Sequence, residues 1–375
     1  VYMKRESFGS RLGFILVSAG CAIGIGNVWK FPYICGAYGG AAFILIYLLF
    51  LIILGIPVLV CEFAVGRGSR KSVALSFDEL QPKNGKWAPL KFIGIIGCYM
   101  LMMFYTTVGG WLMYYCYKGI QGSFVNASSD NISTQFSQML TDVPTMLFWT
   151  ILICVIGFAV CMFGLNNGIE RVTKVMMTAL ILIMVVLAIR SVTMAGAGEG
   201  IRFYLIPDFH KMVESGIGNV VFAALSQAFF TLSIGIGAML IFGSYLDQSR
   251  SLTGEAVNIM LLDTFVALTA GFIIIPACFS YGIEPGAGPS LIFITLPNIF
   301  AQMSGGRIWA FLFFLFLTFA ALSTIIAVFE NLVMFNMELL GWRRKKSVLV
   351  CATLIIILSI PCVLGFNVWS GVQLL

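Results

Sequence analysis

Apolar residues run along this chain in blocks separated by short polar stretches, at roughly 12 to 36, 39 to 66, 91 to 119, 146 to 163, 172 to 194, 217 to 246, 256 to 281, 307 to 339 and 347 to 365. About 20 apolar residues in a helix cross the ~30 Å hydrocarbon layer of a bilayer, so the pattern predicts nine membrane spans. Two of the blocks are interrupted alike: Ile23-Gly24-Ile25-Gly26 in the first and Ile234-Gly235-Ile236-Gly237 in the sixth. Paired glycines let the backbone leave the helix, and the freed N–H and C=O groups need protein, water, ions or a ligand at that depth. Such paired interruptions point to the substrate site of a secondary transporter. Packing of small residues between helices is the rival reading.

Composition agrees with the membrane assignment. Hydrophobic residues make up 60% of the chain and charged residues 10%, with a mean hydropathy of +1.00. The basic residues set an orientation. Lys4, Arg5, Arg11, Arg67, Arg70, Lys71, Lys83, Lys86, Lys91, Arg171, Lys174, Arg250 and the block 343–346 fall on one side, against Lys30, Lys118, Arg190, Arg202, Lys211 and Arg307 on the other. By the positive-inside rule the N-terminus is expected in the cytoplasm of a multi-pass plasma-membrane protein. The net charge of +6 therefore reflects topology and gives no reason to invoke nucleic acid. Ten cysteines are scattered over separate spans without metal-ligand spacing and read as small buried hydrophobes.

Opening of the first span near residues 22 to 25 would free the carbonyls of Gly20, Ala22 and Ile23 and expose the amides of Ile25 and Gly26. Free carbonyls suit a small hard cation, and amides at a helix start suit a carboxylate. Asn27 adds a side-chain oxygen one turn on. In the sixth span Thr231 and Ser233 precede the break; hydroxyls there serve a ligand or bond their own backbone. Ala320, Ser323 and Thr324 share a helix face by their i, i+3, i+4 spacing, which suits a second oxygen cage or close packing. Asp263 lies in an otherwise uncharged run, and an intramembrane acid is a functional candidate; Glu62 poses the same question nearer a membrane edge. No nucleophile and base pair appears, and His210 falls in an outward loop, so an enzyme is not expected.

These residues, together with Arg11-Leu12-Gly13, Gly39-Gly40-Ala41, Gly55-Ile56-Pro57, Gly66-Arg67 and Phe293-Ile294-Thr295-Leu296-Pro297, resemble the neurotransmitter:sodium symporter family, more narrowly its bacterial amino-acid transporters. The resemblance implies an all-α fold of inverted five-helix repeats with discontinuous first and sixth helices, of the leucine-transporter type that also illustrates paired broken helices in general accounts of transporters. Residues 1–375 would form one transporter domain, with a first repeat at about 10–195 and an incomplete second at about 215–375, so that a tenth helix is expected after Leu375. It implies one sodium site from Ala22, Asn27, Thr231 and Asp263, and a second from Gly20, Ile23, Ala320, Ser323 and Thr324. The substrate carboxylate would meet Ile25, Gly26 and Tyr105, and its ammonium Ala22, Phe230, Thr231 and Ser233. Leu101, Tyr105, Phe230, Ile236, Thr324 and Val328 would surround the side chain. Arg5 and Glu338 match a cytoplasmic gate, while Lys30 stands where the outer gate usually has arginine. Tyr47, Gln227 and Thr231 match a chloride site, but Ala267 replaces its serine and Asp263 stands where many members carry asparagine, so no chloride requirement is expected.

The expected function is sodium-coupled import of hydrophobic L-amino acids by alternating access, with two sodium ions. The alternatives are a proton-coupled transporter of the same fold and a non-transporting amino-acid-binding receptor or accessory subunit.

Overall fold

The computed structural model describes residues 7–371 apart from positions 284, 286, 287 and 289, and contains helices and no strand among them. The first block is a bent pair, α1 (Arg11–Ala22) and α2 (Gly26–Ala37), turned by 56° at the glycine break. α3 (Ala41–Ser69), α4 (Leu90–Gln121), α5 (Val143–Met162) and α6 (Leu165–Val192) follow. The sixth block splits into α7 (Ile217–Thr231) and α8 (Ala238–Tyr245). α9 (Leu252–Ser280), α10 (Gly306–Leu340) and α11 (Arg344–Gly365) complete the bundle. Seven described helices are long and apolar enough to cross a membrane, and the α1/α2 pair makes an eighth. α7 and α8 are each too short to qualify and together occupy the remaining expected span.

One boundary moves. α6 starts at Leu165 rather than near 172, because its first turn carries Asn166, Asn167 and Glu170 and a hydropathy reading passes over it. That turn is π-helical, and three more π segments occur at Gly26–Lys30, Leu51–Gly55 and Leu291–Thr295. Each of these three closes with an N–H bonded five residues back, Phe31 to Gly26, Ile56 to Leu51 and Leu296 to Leu291, immediately before Pro32, Pro57 and Pro297. A proline ring collides with the carbonyl four residues before it in a regular helix. Widening the preceding turn by one residue makes room for that ring and lets the helix continue.

α10 lies at the centre, with 78% of its most apolar window buried, against 28% for α11 and 33% for α3 and α6. The outer helices turn Ile52, Ile93, Met100, Leu182, Phe222 and Leu349 outward. A belt of large apolar residues this extensive matches hydrocarbon rather than water. All ten cysteines are free and eight are buried, consistent with a packing role. α1 packs against α10 and α9, and α2 against α9, so both sides of the first break face the core.

Candidate substrate and cation site

The two breaks meet at the centre of the bundle. The sixth-span break turns through Ser233, Gly235 and Gly237 at φ of 51°, 91° and 79°, a region that glycine enters without the penalty of a Cβ. Its backbone groups find partners on distant helices. Gly235 N–H donates to the Glu62 carboxylate of α3, while the Ile236 carbonyl accepts from Cys98 Sγ of α4 and Asn331 Nδ2 of α10, both at 3.1 Å. Ser233 Oγ donates to the Cys21 carbonyl at 2.9 Å and so ties one break to the other.

Beside the first break lies a fully buried polar cluster. Asn27 Nδ2 donates to Thr231 Oγ1 and to Asp263 Oδ1, both at 2.8 Å, and Thr231 Oγ1 donates to Asp263 Oδ2 at 2.9 Å. Asn27, Thr231 and Asp263 are each 0% exposed. Among the described residues no basic side chain pairs with Asp263. A buried carboxylate in that setting is stabilised by a cation or by a proton. The asparagine oxygen, expected to face a cation, accepts instead from Gly24 N–H at 3.2 Å. The carboxylate and hydroxyl in front of Asn27 are acceptors, and they draw its donor end.

A second cluster surrounds α10. Thr324 Oγ1 lies 3.2 to 3.4 Å from the carbonyl oxygens of Gly20, Cys21, Ile23 and Ala320. Ser323 Oγ lies 3.0 Å from the Ala320 carbonyl and 3.4 Å from that of Ile23. Two hydroxyls supply one proton each, too few to satisfy four carbonyls with two lone pairs apiece. Lone pairs gathered in this way suit a hard cation, which takes oxygen ligands.

Between the clusters a cavity of about 170 Å³ is lined by Ala22, Gly24, Gly26, Leu101, Tyr105, Phe229, Phe230, Ser233, Ile234, Ile236 and Thr324. Ile25 N–H donates to Tyr105 Oη at 2.9 Å. A methyl group at Gly24 would run into that hydroxyl and come within 2.6 Å of Thr324 Oγ1, so the close approach requires glycine. Phe230 separates this cavity from a wider one of about 290 Å³, also lined by Ile25, Trp29, Lys30, Tyr33 and Phe104, where Lys30 Nζ sits 4.5 Å from the Phe230 ring centre.

Most of the expected residues therefore converge. Thr231 turns its hydroxyl to Asp263 instead of lining the inner cavity, and Val328 is 0% exposed in the packing beyond Thr324. Glu338 accepts from Ser72 N–H and Oγ at 2.7 and 2.8 Å, whereas Arg5, its expected partner, lies outside the described residues. Tyr47 and Ala267 are buried, and Gln227 Nε2 donates to the Gly26 carbonyl at 2.9 Å. Sequence reading missed Gly24, Phe229 and Ile234 as lining residues and the Cys21 carbonyl as a ligand. A backbone oxygen leaves no trace in residue type. Glu62 was visible as an intramembrane acid, but not its target.

A helical bundle with two broken helices facing each other across a cavity and two oxygen-rich clusters defines a secondary transporter. The chain belongs to the sodium:neurotransmitter symporter family, which it matches over residues 5–134 and 128–371. It is 36% identical to the sodium-dependent transporter YhdH of Bacillus subtilis over 371 residues, covering 99% of this chain and 81% of that one. A sodium-dependent transporter of Haemophilus influenzae is 34% identical over 381 residues, covering 99% and 82%. Among solved structures it resembles MhsT in complex with L-phenylalanine, with a TM-score of 0.90 and 37% identity over 99% of this chain and 83% of that one. The chain is thus a multi-pass transporter of leucine-transporter-type fold and not an enzyme.

Proposed function

We propose that this chain imports hydrophobic L-amino acids, driven by two sodium ions and working by alternating access, with its N-terminus in the cytoplasm. The observation that carries the reading is the inner cavity: no charged side chain lines it among the described residues, and it opens between the backbone groups of both breaks. Such a lining holds the zwitterionic end of an amino acid on amides and carbonyls, as helix ends do, and leaves the rest to apolar walls. Its likeness to MhsT in complex with L-phenylalanine supports this substrate class. One sodium ion would sit among Asp263, Thr231, Asn27 and Ala22, with the Asn27 amide turned over to present its oxygen. The other would sit among Gly20, Cys21, Ile23, Ala320, Ser323 and Thr324. Asp263 supplies a fixed negative charge where a chloride ion would otherwise be needed.

The test is a binding screen of the common L-amino acids in sodium and in a large organic cation, repeated with gluconate replacing chloride. Leu, Phe and Trp are expected to bind only with sodium and equally well without chloride. Lys, Arg, Asp and Glu should bind at least about a hundredfold more weakly, because an unpartnered charge in this lining costs roughly 3 kcal/mol or more. Binding that ignores sodium and follows pH would transfer the role to a proton on Asp263. Failure of sealed vesicles to accumulate a bound amino acid would make the chain a receptor.

A further inference from the structure

A carboxylate grips the N-terminal end of α1. Glu170, which closes the π-helical first turn of α6, is 4% exposed and accepts Gly9 N–H at 2.8 Å and the Ser10 hydroxyl at 3.1 Å. Lys174, one turn on, reaches the same carboxylate at 2.6 Å and Ser10 Oγ at 2.7 Å. Ser10 in turn caps α1 by accepting Gly13 N–H at 3.0 Å. A carboxylate in this place also faces the positive end of the α1 dipole. The turn that carries Glu170 is the one π segment among the described residues with no proline behind it, so room for a ring does not explain it. Widened turns of this kind often mark functional positions.

The same helix leads to the oxygen cluster. Gly13 and Gly20 share one face of α1, seven residues or about 10 Å apart along its axis, and that face lies against α6. A methyl group at Gly13 would run into the Glu170 carboxylate, and one at Gly20 would come within 3.1 Å of Thr173 and 3.3 Å of Met177. The two helices therefore touch from the clamp to the level of Gly20, whose carbonyl oxygen is one of those around Thr324 Oγ1. Nothing flexible separates clamp from cluster, since α1 is unbroken from Arg11 to Ala22.

We propose that Glu170 is a positioning residue for sodium binding: its hold on Gly9 and Ser10 seats α1 against α6 and so keeps the Gly20 carbonyl within the Thr324 cluster. This rests on the reading that the cluster holds sodium. Clamp and ion stabilise one placement of α1 from its two ends, so each favours the other by linkage. Without the clamp α1 leaves its seat more readily, and more sodium is needed to bring it back. Cys21 follows Gly20 and is 0% exposed, which makes its thiol a reporter of that seat.

The experiment takes the purified full chain in detergent, titrates sodium, and follows modification of Cys21 by a charged methanethiosulfonate, read on the Cys21 peptide by mass spectrometry. A single symmetrical peak in gel filtration shows that each variant is folded. In the wild type, sodium is expected to protect Cys21. Glu170→Ala should raise the half-protecting sodium concentration roughly tenfold, the value of a hydrogen bond to a charged group, and reach the same protection at saturation. Glu170→Gln keeps an acceptor oxygen and should raise it less. Gly13→Ala retains the carboxylate but pushes it from its seat; it should match Glu170→Ala, and it decides the matter where Glu170→Ala fails to fold. An unshifted curve in a folded Glu170→Ala or Gly13→Ala would overturn the proposal. So would Cys21 labelling that no sodium concentration suppresses in these variants, the mark of a merely structural role. A wild type whose Cys21 is never protected by sodium would instead sink the sodium reading of the cluster, and the proposal with it.

Discussion

Thr324 carries more of the site than any other side chain, since it touches the oxygen cluster and lines the substrate cavity. Valine in its place keeps the shape and deletes the oxygen, leaving the carbonyls of Gly20, Cys21, Ile23 and Ala320 facing one another around a methyl group. Losing one partner of a buried polar group costs about 1–3 kcal/mol. Thr324→Val is therefore expected to weaken sodium at least about tenfold, and Thr324→Ser by no more than about threefold. A sodium titration of substrate binding at fixed substrate checks both, and an unshifted curve for Thr324→Val would remove Thr324 from the ligand set. At this scale the sequence was legible wherever a side chain carried the chemistry. The i+3, i+4 spacing of Ser323 and Thr324 and the acid at Asp263 were open to reading because hydroxyls and carboxylates are costly at membrane depth. The direction of the Asn27 amide was not, since it depends on two acceptors 204 and 236 residues away.

At the scale of elements, the repeated Ile-Gly-Ile-Gly tetrapeptide revealed where the helices would break, because Gly235 and Gly237 take the left-handed backbone of the second break and Gly24 permits the close approach of Tyr105 and Thr324 at the first. It did not reveal how the breaks stay ordered, because their partners lie on α3, α4 and α10. The π turns escaped notice for a related reason: each depends on how a proline is accommodated, and hydropathy is blind to that. Glu62 gives the clearest test of these braces. Its carboxylate accepts Gly235 N–H at the point where α7 has ended and α8 has not begun. Glutamine retains an acceptor oxygen at that position and alanine does not. Glu62→Gln is expected to hold substrate affinity within about threefold, while Glu62→Ala, which removes the acceptor of the Gly235 N–H, should lose about tenfold, the value of a hydrogen bond to a carboxylate. Equilibrium binding in saturating sodium reads both, and an Ala variant that binds as well as Gln would show that the break is held without Glu62.

For the whole molecule the consequence is coupling. α1 gives carbonyls to the Thr324 cluster and walls to the cavity, α7 gives Thr231 to the Asp263 cluster and Phe230 to the cavity, and α10 serves both. A cation and a substrate that order the same three helices favour each other's binding, and linkage makes that help mutual. The distribution of basic residues predicted one orientation for this machinery, and the sealed apolar belt of α3, α6 and α11 gives it a bilayer to work across. Charge movement then provides the test at this scale. On the proposed scheme, two sodium ions carried with a neutral zwitterion, and no chloride to offset them, would move net positive charge inward. Each unit charge crossing 100 mV contributes about 2.3 kcal/mol, close to a fiftyfold gain in accumulation. Vesicles holding equal sodium on both sides in gluconate, with a potassium diffusion potential set inside negative by valinomycin, should therefore accumulate leucine, and reversing the potential should abolish it. Accumulation indifferent to the potential would mean that the charge is balanced by a counter-ion, and the scheme of two sodium ions without compensation would fail.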